Sequence, residues 1–127
     1  MTKEQQQRFF SKAVRHLRKQ KKRCINKETG GCAYRQDSTR SCAVKCAVGA
    51  LIPNRLYSRR IDDYDDTAIE YIIKRFPNIK SYFKIENHKD IAFLSDLQDI
   101  HDIFTPREWE REFRNFAIDY SLEVPRA

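Results

Sequence analysis

Four cysteines and three histidines are the side chains of this 127-residue chain best suited to metal or thiol chemistry. Cys42 and Cys46 stand four apart, so on a helix they share one face, the arrangement two ligands of a tetrahedral metal site adopt. The other gaps, Cys24 to Cys32 and Cys32 to Cys42, are longer than the tight pairs of structural zinc sites. His16, His88 or His101 would have to complete a set, and Cys32, Cys42, Cys46 and His101 are the weak metal candidates. A nucleophilic thiol is the second chemistry. Cys42 lies amid Arg35, Arg40 and Lys45, cations that lower a thiol pKa, and His101 would act as its base. No local catalytic signature surrounds these residues. The plain alternative is that the cysteines are small apolar residues packed in a core, a common fate of free thiols. The expectation is therefore no catalytic residue, no metal and no cofactor.

Two charged clusters offer other chemistry. Asp62, Asp63, Asp65 and Asp66 form a dense carboxylate run, DDYDD. Hard oxygen ligands of this kind suit a divalent cation, but the run lacks the glycine and terminal glutamate of a calcium loop. It reads more simply as a solvated loop whose last residues favour the positive end of the following helix. Near the start of the chain, Arg8, Lys12, Arg15, Lys19 and Lys22 recur every four or three residues. On a helix they stack into one ridge, extended by Arg18, Lys21 and Arg23. Such a ridge neutralises phosphates, and Tyr34 with Arg35 would add stacking or hydrogen bonds to bases. The same ridge would equally dock an acidic protein. No known nucleic-acid-binding signature accompanies it.

The elements that position these residues follow from periodicity. Thr2 and Gln5 form a capping box opening a helix over 3–23, whose buried stripe is Phe10, Ala13, Val14 and Leu17. A hairpin is expected over 24–36, turning at Thr29-Gly30, with Ile25, Cys32 and Tyr34 on one face and Cys24 on the other. SCAVKCAVGALIP fits one or two buried helical turns carrying Val44, Ala47, Leu51 and Ile52, favoured over a strand at Val44, and Pro53 ends either element. Further helices are expected over 67–76, capped by Thr67 with Glu70, then from Asn78, and then from Asp90. Asp90 would open a helix with Ile91, Leu94, Leu97 and Phe104 inward and Asp96, Asp99 and Asp102 outward. Thr105, Pro106 and Glu108 start a last helix whose stripe is Trp109, Phe113, Phe116, Ala117 and Tyr120. The architecture predicted is mostly α (α+β): one domain over 1–127, four or five helices with one small β-hairpin, and a helical core over 42–121.

Charge is divided unevenly. Residues 1–60 carry 16 Lys/Arg and 3 Asp/Glu, a net +13, and residues 61–127 carry 9 and 15, a net −6, which together give +7. Such asymmetry points to two different surfaces, and the basic one of one copy would fit the acidic one of another in a homodimer. The opening MTKEQQQRFF lacks an apolar signal core, and no apolar run is long enough to span a bilayer. A cytoplasmic protein with reduced thiols and no membrane partner is expected.

Three stretches, CAYRQDSTRSCAVKCAVGALIPNRLYS, FLSDLQDIHDIF and WEREFRNFAIDYSLE, resemble a family of small uncharacterised proteins encoded by tailed bacteriophages. The residues that carry the resemblance are Cys32, Tyr34 and Arg35; Cys46, Ala47, Gly49, Leu51, Ile52, Pro53 and Tyr57; Leu97, Gln98, His101 and Asp102; and Trp109. It extends over roughly residues 7–123. The chain departs from the pattern at Asn54, where the family usually carries an acidic residue, and in having Cys42. The resemblance implies a phage origin and a shared fold, and it brings no assigned activity.

Physically, the shared residues suggest a structural clasp. Cys32 and Tyr34 would pack on Cys46 and Leu51, Gly49 would let two backbones approach, and His101 would bond a carbonyl of the Cys46–Pro53 segment. The function expected is that of a small phage accessory protein that binds and modulates a bacterial host or defence protein in the host cytoplasm, without catalysis. Binding of DNA or RNA through Arg8, Lys12, Arg15, Arg18, Lys19, Lys22, Tyr34 and Arg35 is the alternative, and a Cys/His metal protein or enzyme the third.

Overall fold

The computed structural model describes residues 1–25, 33–36, 44–62 and 68–127. They form a small, mostly helical domain. Helix α1 spans Lys3–Gln20, and Thr2 caps it in the expected box with Gln5. Its apolar stripe is fully covered: Phe10, Ala13, Val14 and Leu17 are all at 0 % exposure. The helix stops at Gln20, short of Arg23. Lys21 turns into the left-handed region, and its N–H bonds the Leu17 carbonyl at 2.8 Å.

A two-stranded antiparallel sheet follows, β1 (Arg35–Gln36) with β2 (Val44–Lys45), Arg35 opposite Lys45. This is not the hairpin expected over 24–36. The tip of that hairpin, with Cys32, lies outside the described residues, as do Cys42 and Asp63, Asp65 and Asp66. The arm at 34–36 pairs forward with 44–46 because Cys46 N–H bonds the Tyr34 carbonyl at 3.0 Å, beside the close approach at Gly49 described below. Among the described residues the backward link is Ala33 N–H to the Cys24 carbonyl, at 3.0 Å. The favoured helix does not reach back to Val44, which is strand: β2 leads directly into α2 (Ala47–Leu51), which is wholly buried. The expected helical core at 42–121 thus begins as strand.

The second half is helical, with α3 (Ile69–Arg75), α4 (Pro77–Tyr82), α5 (His88–Ile103) and α6 (Trp109–Tyr120). Three of its starts differ from expectation. Ala68 precedes α3 with no side-chain cap, and Thr67 lies outside the described residues. Pro77 opens α4 as its first residue instead of leaving the start to Asn78, because its fixed φ suits that position. Asn87, not Asp90, begins α5: it is extended, and its Oδ1 accepts from the Lys89 and Asp90 N–H groups. Asp90 lies in the first turn, buried, and takes the Glu86 N–H at 2.8 Å. Thr105 and Glu108 form their box around a single 3-10 turn, Pro106–Glu108, that feeds α6.

One core joins these elements. Phe10 of α1 stacks on Phe116 of α6 at 4.9 Å, and Phe93 of α5 meets Phe116 edge-on at 5.3 Å. Short α2 is wedged against α1 and α5, tied to the latter by Val48 N–H to Gln98 Oε1 at 3.0 Å. Among the described residues no helix is long and apolar enough to cross a membrane.

Candidate functional site

Of the residues that looked most able to do chemistry, the structure describes Cys24, Cys46 and His101, and all three are buried in the core. Cys24 and Cys46 are both at 0 % exposure. Cys46 sits just before α2, and its Sγ accepts the Gly49 N–H at 3.1 Å, so the thiol acts as a helix cap. Burial pushes its pKa well up, and the charge of Asp102 adds to the effect. A protonated, enclosed thiol is no nucleophile at neutral pH. Among the described residues no group of three or more His, Cys, Asp or Glu side chains could hold a metal ion.

His101 is also at 0 % exposure. Its Nε2 accepts the Cys24 backbone N–H at 2.7 Å, so the ring proton is on Nδ1, which donates to Asp102 at 2.6 Å. The ring is thereby neutral with both nitrogens engaged. It does not bond the Cys46–Pro53 segment as expected. Gln98, one turn earlier on α5, makes that link through Val48 and steadies Asp102 through its own Nε2 at 2.8 Å. Asp102, expected to face outward, is part-buried, with its carboxylate turned to the histidine beside it. A histidine–carboxylate pair of this kind serves catalysis when Nε2 faces a nucleophile. Here a backbone amide takes that place.

Tyr34 and Arg35, expected as base-contacting residues, are 2 % and 6 % exposed. They hold the clasp. The Arg35 guanidinium donates to the Ile52 carbonyl at 2.5 Å and to Asn54 Oδ1 at 2.8 Å, reaches the Gly49 carbonyl at 3.4 Å, and lies 4.4 Å above the Tyr57 ring. Asn54 is thus an acceptor for Arg35. Asp62 accepts the N–H groups of Tyr34 and Arg35 at 2.8 and 3.2 Å and the Tyr57 hydroxyl at 2.5 Å. Burial and that bond hold the Tyr57 proton far above the ordinary phenol range. Asp62 is therefore an internal cap, not a solvated loop acid.

Two charged surfaces remain. On α1, Arg8, Lys12, Arg15 and Lys19 are exposed along one face, with Lys22 exposed just past its end. Arg18 is not part of that ridge. It faces α6, donating through Nε and Nη2 to both oxygens of Glu110 at 2.6 and 2.9 Å and through Nη1 to the Pro125 carbonyl at 2.7 Å. Lys45 stands beside the ridge, because Gln20 takes its N–H and gives to its C=O, each at 2.8 Å. Burial lowers the Lys45 pKa, and the charges of Arg35 and Lys12 lower it further.

The second surface is a cleft of about 250 Å³ between α5 and α6 that sequence reading did not identify. Asp96, Asp99, Glu112 and Asp119 line it over a floor of Ile100, Phe104 and Phe116. Tyr120 donates to Asp96 at one end. Partial burial raises the Asp99 pKa, and repulsion from Asp96 and Asp102 raises it further. Ile103 and Ile118, on the two helices that form the cleft, are 66 % and 76 % exposed. The signal for this face was the outward run Asp96, Asp99 and Asp102, read only as solvated, and two isoleucines off the buried stripes. No protein-family model matches the sequence, and no curated protein or solved structure is similar to it.

Proposed function

We propose that this is a non-catalytic binding protein that engages and modulates a protein of a bacterial host cell through the α5–α6 face. The observation that carries the reading is the acidic cleft with an apolar floor, on helices that also expose Ile103 and Ile118. Protein interfaces combine an apolar centre with a polar rim, and Ile103, one turn on from Asp99 along α5, stands exposed beside the cleft. The chemistry of the partner follows: a cationic segment with apolar side chains. The resemblance to tailed-phage proteins supplies the bacterial setting and suggests a host or defence protein as target. The engagement of His101, Asp102 and Cys46 within the core supports a role without catalysis.

The test is a tagged pull-down from bacterial lysate with and without nuclease, run in parallel with an Ile103→Glu/Ile118→Glu variant. One protein recovered in near-equal amount with the parent chain and lost with the variant is the expected result. Recovery that vanishes with nuclease, or is indifferent to the two isoleucines, overturns the reading.

A further inference from the structure

We infer that the exposed face of α1 is a separate binding surface for the phosphate backbone of nucleic acid, engaged without reading base sequence. The face is built by the fold as well as by composition. Arg8, Lys12, Arg15 and Lys19 occupy one exposed stripe, about 16 Å long at 1.5 Å per residue. Over that length one strand of a duplex presents about five phosphates. The left-handed cap at Lys21 ends the helix and leaves Lys22 exposed beyond it. Gln20 then holds β2 against the end of α1, adding Lys45 to the same side.

These cations lack internal compensation. Among the described residues Arg8, Lys12, Arg15, Lys19 and Lys22 make no ion pair, and the sole carboxylate of α1 is Glu4. The acidic half of the chain reaches α1 on its other side, where Glu110 takes Arg18. Lys12 stands close enough to Lys45 for the two charges to repel, a smaller influence on Lys45 than its burial and the charge of Arg35. Like charges assembled beside one another are stabilised by a polyanion, whose condensed cations they displace.

The same face discriminates between an acidic protein and nucleic acid. A protein interface needs an apolar or aromatic centre, and lysine is depleted there. The exposed large apolar residues among those described are Tyr71, Ile103 and Ile118, none of them on α1. A phosphate backbone asks only for cations at intervals. Burial of Tyr34 and Arg35 removes the groups that would have stacked on or bonded to bases, so no sequence preference is expected.

The test is titration of the full chain into fluorescein-labelled random-sequence duplex DNA across 50–200 mM salt, with polyglutamate as competitor. Binding should weaken steeply with salt. Lys12→Gln/Arg15→Gln/Lys19→Gln should weaken binding at least about tenfold and flatten the log–log salt slope by about 3. These side chains are exposed, so the triple variant should keep the parent's circular dichroism and melting point. Ile103→Glu/Ile118→Glu should bind DNA as the parent does, which separates this surface from the α5–α6 face. No binding at low salt, a triple variant indistinguishable from the parent, or polyglutamate competing as well as unlabelled DNA would each overturn the inference, the last assigning the ridge to an acidic protein.

Discussion

A side chain at Gly49 would begin 2.0 Å from the carbonyl oxygen of Tyr34, and 2.8 Å from its carbonyl carbon. Both groups are backbone, so neither yields by rotating. The approach lets β1 sit directly on α2, with Cys46 N–H bonded to that same carbonyl. Gly49→Ala should therefore lose about 3 kcal/mol or more of stability, the upper range of overpacking substitutions. A lower urea midpoint at unchanged slope is the expected readout, and a midpoint within error of the parent would refute the packing described.

Arg35 should resist even conservative replacement. A lysine offers one point charge where the guanidinium forks to Ile52 and Asn54 and lies flat on Tyr57. Arg35→Lys should cost about 2–3 kcal/mol, through acceptors left unmatched in the interior. Tyr57→Phe, which removes one donor to Asp62, should cost about 1 kcal/mol. Equal effects for the two would contradict the assigned geometry.

His101→Phe keeps a ring beside Trp109 but offers nothing to the Cys24 N–H. A buried amide left without an acceptor costs about 1–3 kcal/mol. Hydrogen exchange at Cys24 should accelerate in this variant beyond the global loss of stability. An unchanged rate at that amide would mean the ring nitrogen is not its partner.

The link between Arg18 and Glu110 should be modest and acid-sensitive. The guanidinium's hydrogen bonds hold the Glu110 carboxyl below its usual range, against a smaller opposing effect of burial. A depressed folded-state pKa contributes stability that is fully present above the ordinary glutamate value and lost as pH falls through the folded value. A double-mutant cycle with Arg18→Met and Glu110→Gln should give about 0.5–1 kcal/mol at neutral pH. The coupling should shrink as the pH falls below the ordinary glutamate range, and a coupling that grows on acidification would reverse the sign argued here.

Cys24 and Cys46 should escape alkylation in the native chain. Peptide-level mass spectrometry after brief iodoacetamide treatment should show both unmodified until denaturant is added. Rapid native labelling of Cys46 would contradict the enclosure described for it.

These contrasts show what a one-dimensional pattern carries. The stripe of α1, its Thr2–Gln5 box and the Thr105–Glu108 box depend on residues within a turn of each other, and local spacing reveals them. Gly49 was legible for a related reason: a lone glycine in an apolar run has few uses besides close approach. The partners of His101 and Arg35 were not legible. His101 meets an amide 77 positions away, and Arg35 meets carbonyls 14 and 17 positions on. Nothing in the spacing distinguishes an arginine that will be exposed from one that the chain will fold over. The start of α5 was misplaced by a choice between neighbouring caps, Asn87 and Asp90, that only the extended backbone at Asn87 resolves. The acidic cleft needed two helices to be brought side by side before its carboxylates formed one feature.

A sheet of two strands has two outer edges, and both are occupied here. Gln20 binds the outward N–H and C=O of Lys45 on β2, and Asp62 binds the N–H groups of Tyr34 and Arg35 along β1. An amide and a carboxylate thus stand where a third and fourth strand would add. This closes the two described strands to recruitment by another chain, the step that begins both strand-mediated recognition and fibre growth. Gln20→Ala would reopen one edge, leaving every helix in place but offering the sheet as a template for self-assembly.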